Sequence, residues 1–332
     1  MGHTQTSERK KDHIDLAFKS VVNQQDSRFF YEPLFSGHPK HKLEPIKFAG
    51  KEMLVPIWVS SMTGGTKEAG TINRNLAKAC GEFGMGMGLG SCRIILEDDT
   101  YLKDFQLRKL IGDYPLFANL GVAQLEELFK NNRKHLVSEL VKKTETDGLI
   151  IHINPLQEWL QPEGDVFHAP PLETIQRSLE LDIPIIVKEV GQGFGPESLK
   201  QLMMLHLAAI DFGAHGGTNF SKLEMHRSSE MRHEAYDKVA AWGHSAEEMV
   251  GFYNQLEDEL SGLNRKTDII ISGGVKDFMD GYYHTERINA NAIYGQASAF
   301  LKHARGSYEE LAEYVSLQIE GLKLAKTYLR LR

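Results

Sequence analysis

LIIHINPLQE, Leu149 to Glu158, is an apolar run that ends in His-x-Asn and passes directly into Gln-Glu. It reads as a buried strand that delivers polar groups to its C-terminal mouth. Side chains alternate faces along a strand, so His152 and Asn154 point the same way. Glu158 follows in a turn that Pro155 favours, its carboxylate free to hold a hard cation such as Mg²⁺. Two inward polar groups on a core strand cost stability unless they find partners. The stretch therefore marks both a strand of a sheet buried on both faces and the edge of a site.

The same pattern recurs on either side. Short apolar runs begin at Leu54 (LVPIWVSS), Met85 (MGMGLGS), Pro115 (PLFANLG) and Asp147 (DGLIIHIN). Four more begin at Pro184 (PIIVKEVG), Ala208 (AAIDFGAH), Asp268 (DIIISGG) and Asn291 (NAIYGQA). Nearly all are rich in Val, Ile or Gly and lack alternation, as parallel strands covered on both faces do. Amphipathic stretches such as 123–145, 196–207 and 307–330 separate or follow them. Eight strand–helix alternations predict a (β/α)₈ barrel in 54–332, with 1–53 as an N-terminal arm or cap. Ser61, Ser91, Asn119, His152, Lys188 and Gly213 fall at or just past the C-terminal ends of their runs, the face on which barrel enzymes build their sites. Residues 219–245 form a polar insertion after the sixth strand, expected as a loop with helical turns over the barrel mouth.

Composition narrows the function classes. Hydrophobic residues make up 41% and charged residues 25%, the balance of a soluble globular protein. A net charge of −7 argues against a general nucleic-acid surface, so any basic cluster serves an anionic small molecule. The two cysteines, Cys80 and Cys92, have neither metal-site spacing nor the count of a disulfide framework, which fits the cytoplasm. No secretory signal is read in the polar N-terminus, and no apolar run is long enough to span a bilayer.

Four further motifs carry chemistry. Ser60-Ser61-Met62-Thr63-Gly64-Gly65 offers hydroxyls and close backbone approach to a planar or anionic ligand. Lys188 lies inside PIIVKEVG on the face of Ile186 and Val190, where a bound anion is its natural partner. Glycine-rich turns Gly213–Thr218, Ser272–Gly274 and Gly295–Ala297 follow the last three strands and match the phosphate site common in barrels. Arg9-Lys10-Lys11-Asp12-His13, with Ser91-Cys92-Arg93, makes a second cationic cluster.

Together RKKDH, SSMTGG, GSCR, NLG, HINPLQE, VKEVG, the Gly-Gly-Thr turn and SGG span most of the chain and resemble the type 2, flavin-dependent isopentenyl-diphosphate isomerases. HxNxxQE and VKEVG are the specific blocks; the glycine turns belong to FMN barrels generally. The resemblance implies FMN reduced by NADPH or NADH, Mg²⁺ on a diphosphate substrate, and a homo-oligomer, tetrameric or octameric. It implies that Ser61, Met62 and Thr63 contact the flavin ring, with Ser91, Asn119 and Gly213 along it and Lys188 near its pyrimidine edge. Thr218, Gly273, Gly274, Gly295 and Gln296 would hold the FMN phosphate. Arg9, Lys10, Ser91 and Arg93 would grip the substrate diphosphate, with Asn154 and Gln157 also on the substrate and Glu158 on the metal. The reaction implied is a 1,3-proton shift between isopentenyl and dimethylallyl diphosphate, with the reduced flavin as acid and base. His152 is the side chain best placed to assist, with Gln157 beside it.

The chain departs from that family at three places: Gly213 stands where Ser is usual, His215 where a small residue is usual, and 281–294 replaces an Ala- and Lys-rich helix. His215-Gly216-Gly217 also resembles the FMN-dependent 2-hydroxy-acid oxidases, whose catalytic His is followed by Gly-Gly and then a carboxylate-binding Arg. Here Thr218 occupies that last position, so the arginine is missing. A catalytically inactive flavin-binding relative is the remaining alternative.

Overall fold

The computed structural model describes residues 12–61, 65–260 and 267–332. Eight parallel strands close into a barrel in chain order: β1 (Ile57–Val59), β2 (Gly86–Gly88), β3 (Leu116–Gly121), β4 (Gly148–Ile153), β5 (Ile185–Glu189), β6 (Ala209–Asp211), β7 (Asp268–Ser272) and β8 (Ala292–Gln296), with β8 pairing back onto β1. The expected (β/α)₈ architecture is the one observed. All eight predicted runs supply barrel strands.

Helices of the outer layer start and stop where local chemistry dictates. Helix α1 (Lys67–Phe83) begins at Thr66, whose hydroxyl accepts the Ala69 N–H at 3.1 Å, and ends at Gly84 in a left-handed conformation. Helix α2 (Val122–Lys130) starts at the mouth of β3, where the Gln124 side chain accepts the Gly121 N–H at 2.8 Å. Helix α3 (Pro155–Leu160) follows β4 with proline in its first turn. No helix among the described residues is long and apolar enough to cross a membrane.

The barrel interior is packed in layers. Trp58, Phe117, Ile150, Ile186, Ala209, Ile270 and Ile293, one from each strand but β2, form a buried apolar plug. On β2 the position belongs to Gly86, where an added Cβ would come within 2.5 Å of the Trp58 indole. The plug is sealed from below by an antiparallel hairpin, Ile46–Phe48 with Lys51–Met53, through fully buried Phe48 and Met53. This part of the arm therefore closes the barrel end opposite the site. Another part, Phe29–Tyr31, pairs antiparallel with Leu329–Leu331 at the C-terminus.

The insertion 219–245 is more regular than a loop with helical turns. It folds into helices α4 (Phe220–His226) and α5 (Glu230–Tyr236) and a 3₁₀ turn over Asp237–Ala241. Side-chain caps account for this: Asn219 accepts the Lys222 N–H and Ser229 the Arg232 N–H. Arg232 donates to the Trp159 carbonyl at 2.9 Å, tying the insertion to α3. The atypical segment 281–294 continues helix α6 (Phe278–Arg287) into β8. Its Tyr282 and Tyr283 pack on Phe29, so the departure serves the terminal strands rather than the glycine turns.

Candidate active site

Two residues beyond the plug, each strand presents its next inward position. These are Ser60, Gly88, Asn119, His152, Lys188, Asp211, Ser272 and Gly295. Every one is polar or glycine. An apolar floor thus carries a polar ring at the C-terminal mouth. The ring is tight: a Cβ on Gly295 would approach Ser60 Oγ to 2.8 Å and Ser272 Cβ to 3.0 Å.

Around the ring, hydrogen bonds fix orientation. Asn119 Nδ2 donates to the Leu89 carbonyl at 3.0 Å, and Asn119 Oδ1 faces His152 Nδ1 at 2.7 Å. Burial and the Lys188 charge push His152 down to about 4. Lys188, 8% exposed, was expected to await a bound anion, but the fold already supplies partners. Its Nζ donates to the Glu189 carbonyl at 2.5 Å, and it lies in register with Asp211 on the neighbouring strand. Asp211 is fully buried; it accepts the Ser272 hydroxyl through Oδ1, while Oδ2 has no hydrogen-bond partner. Burial raises its pKa and the Lys188 charge opposes that. An unsatisfied buried oxygen costs about 1–3 kcal/mol, a cost that marks sites rather than cores.

The mouth opens on one side into a cavity of about 420 Å³, within the range of small-molecule sites. Of the residues expected at a flavin and its phosphate, Ser61, Lys188, Gly213, Thr218, Gly273, Gly274, Gly295 and Gln296 line it, joined by Ser60, whereas Ser91 and Asn119 do not. Ser60 Oγ and Ser61 Oγ are buried without partners. The turns after β6 and β7 meet backbone to backbone: a Cβ on Gly273 would lie 2.0 Å from the Ala214 carbonyl oxygen. Lys276 and Lys302 line the same cavity and add two cations that the motif reading missed. Met62, Thr63, Arg9 and Lys10 lie outside the described residues.

On the other side stand the residues of the Leu149–Glu158 stretch. Asn154 Nδ2 donates to Gln157 Oε1 at 3.1 Å and to Glu158 Oε1 at 2.8 Å, leaving the buried Asn154 Oδ1 unpartnered. Glu158 was expected to be free in its turn, and it is not. Its second oxygen accepts the Asp165 N–H at 2.7 Å. Arg93, expected to be open to substrate, is forked onto Asp165 at 2.7 and 3.4 Å. Ser91, beside it, is exposed. Asp165 and Asp211 were missed by sequence reading. Asp211 had a signal, since in AAIDFG it sits where His152 and Lys188 sit in their own strands.

His215 is turned away. Its N–H donates to the His244 carbonyl at 2.8 Å and its ring Nε2 meets the Ala240 carbonyl at 3.3 Å, so the imidazole is anchored to the insertion and does not line the cavity. That is the geometry of a loop tether.

No family model matches the chain. Among solved structures, the barrel is similar to a mandelate oxidase mutant with the monooxide FMN adduct, at a TM-score of 0.57 and 12% identity over 90% of this chain and 83% of that one. It is also similar to the recombinant flavin-binding domain of baker's yeast flavocytochrome b2, at 0.61 and 11% over 90% and 72%. At such identities the likeness is one of fold. The curated relatives are much nearer. The chain is 34% identical over 325 residues to an isopentenyl-diphosphate delta-isomerase of Rickettsia felis (strain ATCC VR-1525 / URRWXCal2), covering 96% of this chain and 91% of the relative. It is 32% identical over 329 residues to that of Rickettsia prowazekii (strain Madrid E), covering 96% and 92%. By identity sustained across nearly the whole of both chains, this protein belongs to the isopentenyl-diphosphate delta-isomerase family.

Proposed function

We propose that the protein interconverts isopentenyl and dimethylallyl diphosphate as the flavin-dependent, type 2 form, with FMN reduced by NADPH or NADH and Mg²⁺ on the diphosphate. The observation that carries this reading is the polar ring with His152, Lys188 and Asp211 beside a glycine-walled cavity. Unpartnered Ser60 and Ser61 hydroxyls, the abutting turns at Gly216–Thr218 and Gly273–Gly274, and Lys276 and Lys302 together fit a flavin with a phosphate tail. Reduced FMN, when bound, would supply the acid and base that an unactivated alkene requires.

This chain's own residues would do the rest. Lys188, which lines the cavity, would lie near the cofactor's pyrimidine edge as the resemblance implies and would supply positive charge there, with Asp211 in register on the neighbouring strand. His152, neutral at pH 7, offers Nε2 as an acceptor. Asn154 Oδ1 and the Gln157 amide orient the substrate. Glu158 spends one lone pair of each oxygen on N–H groups and keeps capacity for Mg²⁺, which is commonly bound by one carboxylate plus phosphate oxygens and water. Ser91 and Arg93, with Arg9 and Lys10, take the diphosphate.

The test is an anaerobic assay of purified protein with FMN, MgCl₂, dithionite and isopentenyl diphosphate, followed by product analysis. Dimethylallyl diphosphate formed only with reduced flavin is the expected result. Flavin bound without product would overturn the reading.

A further inference from the structure

One carboxylate at the mouth has no role in the reaction just proposed. Asp165 lies between α3 and Pro170, its side chain 27% exposed. It touches segments that follow three different barrel strands. Arg93, from the loop after β2, forks onto its two oxygens at 2.7 and 3.4 Å. Gln124, 7% exposed at the mouth of β3, donates Nε2 to its Oδ2 at 2.6 Å, and the amide cannot be reversed because Gln124 Oε1 accepts the Gly121 N–H. From helix α3, which follows β4, Glu158 accepts the Asp165 N–H at 2.7 Å.

Stability does not explain the arrangement. Arg93 is 56% exposed, and ion pairs that open to water contribute little. What a two-pronged contact does supply is orientation. A guanidinium carries five N–H donors, so a fork onto Asp165 leaves others for phosphate oxygens. The backbone of the same residue steadies Glu158.

We propose that Asp165 is a positioning residue for the diphosphate: through its carboxylate and its N–H it holds Arg93 and Glu158 as one preset unit that meets the phosphate oxygens and the metal together. The inference rests on the isopentenyl-diphosphate reading above. It assigns a shared origin to two quantities that would otherwise vary separately, the KM for substrate and the Mg²⁺ concentration for half-maximal rate.

The experiment is steady-state kinetics of the reduced holoenzyme for wild type, Asp165→Asn, Arg93→Ala and the double variant, with flavin absorbance and thermal unfolding followed in parallel. Asn keeps the shape and removes the charge. Asp165→Asn is expected to raise KM for isopentenyl diphosphate about tenfold, with the Mg²⁺ requirement moving the same way and kcat little changed. In the Arg93→Ala background it should add almost nothing to KM, because its partner is gone. An unchanged KM would overturn the proposal, as would an equal rise in KM without Arg93. Loss of flavin absorbance and melting temperature in Asp165→Asn would also overturn it, by showing a structural role. A wild type that forms no product sinks the underlying reading and this inference with it. A wild type that turns over alongside an indistinguishable Asp165→Asn sinks the inference alone.

Discussion

Asn119 fixes the proton on His152. Asn119 Nδ2 is committed to the Leu89 carbonyl at 3.0 Å, so the amide oxygen must face the ring at 2.7 Å, and Nδ1 must carry the hydrogen. Nε2 is left as a lone pair. Burial and the Lys188 charge disfavour the imidazolium, so the neutral tautomer with an outward acceptor is the form present at pH 7. This makes His152 an acceptor toward whatever occupies the mouth, a narrower role than general assistance in proton movement.

Asn119→Leu should therefore lower kcat by roughly tenfold or more, since the ring loses the partner that sets its tautomer and angle, a loss of about 1–3 kcal/mol. Nitrogen chemical shifts of the His152 imidazole provide the check independent of activity. A single Nδ1–H tautomer in wild type should give way to a mixture in the variant. An unchanged spectrum would remove Asn119 from this role.

The same imidazole predicts a pH dependence of stability. Below about pH 6.5 the unfolded chain takes up a proton at this site, while the folded chain resists it until about pH 4. The folded state binds fewer protons in that window, so stability falls as the pH drops through it and is untouched above it. The full effect is about 3 kcal/mol. Urea denaturation of the apoprotein at pH 7 and pH 4 should show wild type losing that much more than His152→Asn, which cannot titrate.

How much of this was legible in the sequence follows from what kind of signal each feature leaves. The barrel was legible because runs without alternation, such as PIIVKEVG and DIIISGG, read as parallel strands covered on both faces, and eight strand–helix alternations point to a closed barrel rather than an open sheet. His152 and Lys188 were legible because a polar group in an apolar run stands out. Asp211 left a weaker form of the same signal, since β6 has only three residues and the glycine turn that follows it is the louder feature of AAIDFGAH. Asp165 left no trace at all. Its partners Arg93 and Gln124 lie 72 and 41 residues away, and only closure of the barrel brings the three segments together. The freedom assigned to Glu158 failed for the same reason: its second partner is the Asp165 N–H, across a loop whose fold the sequence does not state.

Lys188 and Asp211 lie in register on adjacent buried strands, where the lysine charge opposes the rise that burial gives the Asp211 pKa, and that predicts non-additivity. Removing one member strands the other in a low-dielectric ring at a cost of about 3 kcal/mol. Lys188→Met alone should destabilise the apoprotein by that order, and adding Asp211→Asn should recover most of it. Chemical denaturation of the two single variants and the double decides it. Additive losses would mean that the two charges do not interact.

Glu158→Gln tests the metal assignment. The amide oxygen can still accept the Asp165 N–H, while its NH2 sets donor against donor at Asn154 Nδ2; this local loss of about 1–3 kcal/mol lies away from the glycine-walled cavity, so flavin binding should persist. Its charge is gone, and Mg²⁺-dependent turnover should fall by about 100-fold or more. Retained turnover at ordinary Mg²⁺ concentrations would place the metal elsewhere.

The departure at Gly213 gives the last prediction. Serine is the residue the family resemblance leads one to expect there, so Gly213→Ser would at first sight restore a lost hydrogen bond to the cofactor. The backbone says otherwise. Gly213 sits at φ +51°, and a Cβ built on it would lie 1.9 Å from the Glu189 carbonyl oxygen. That carbonyl also receives the Lys188 ammonium, so it cannot yield without disturbing the ring. Gly213→Ser should therefore destabilise the protein by about 1–3 kcal/mol and weaken flavin binding rather than strengthen it. Thermal unfolding of the apoprotein and flavin titration measure the two effects separately. A variant that is as stable as wild type and holds flavin more tightly would show that the β6 turn relaxes to admit a side chain, and that glycine here is a substitution the fold tolerates rather than one it requires.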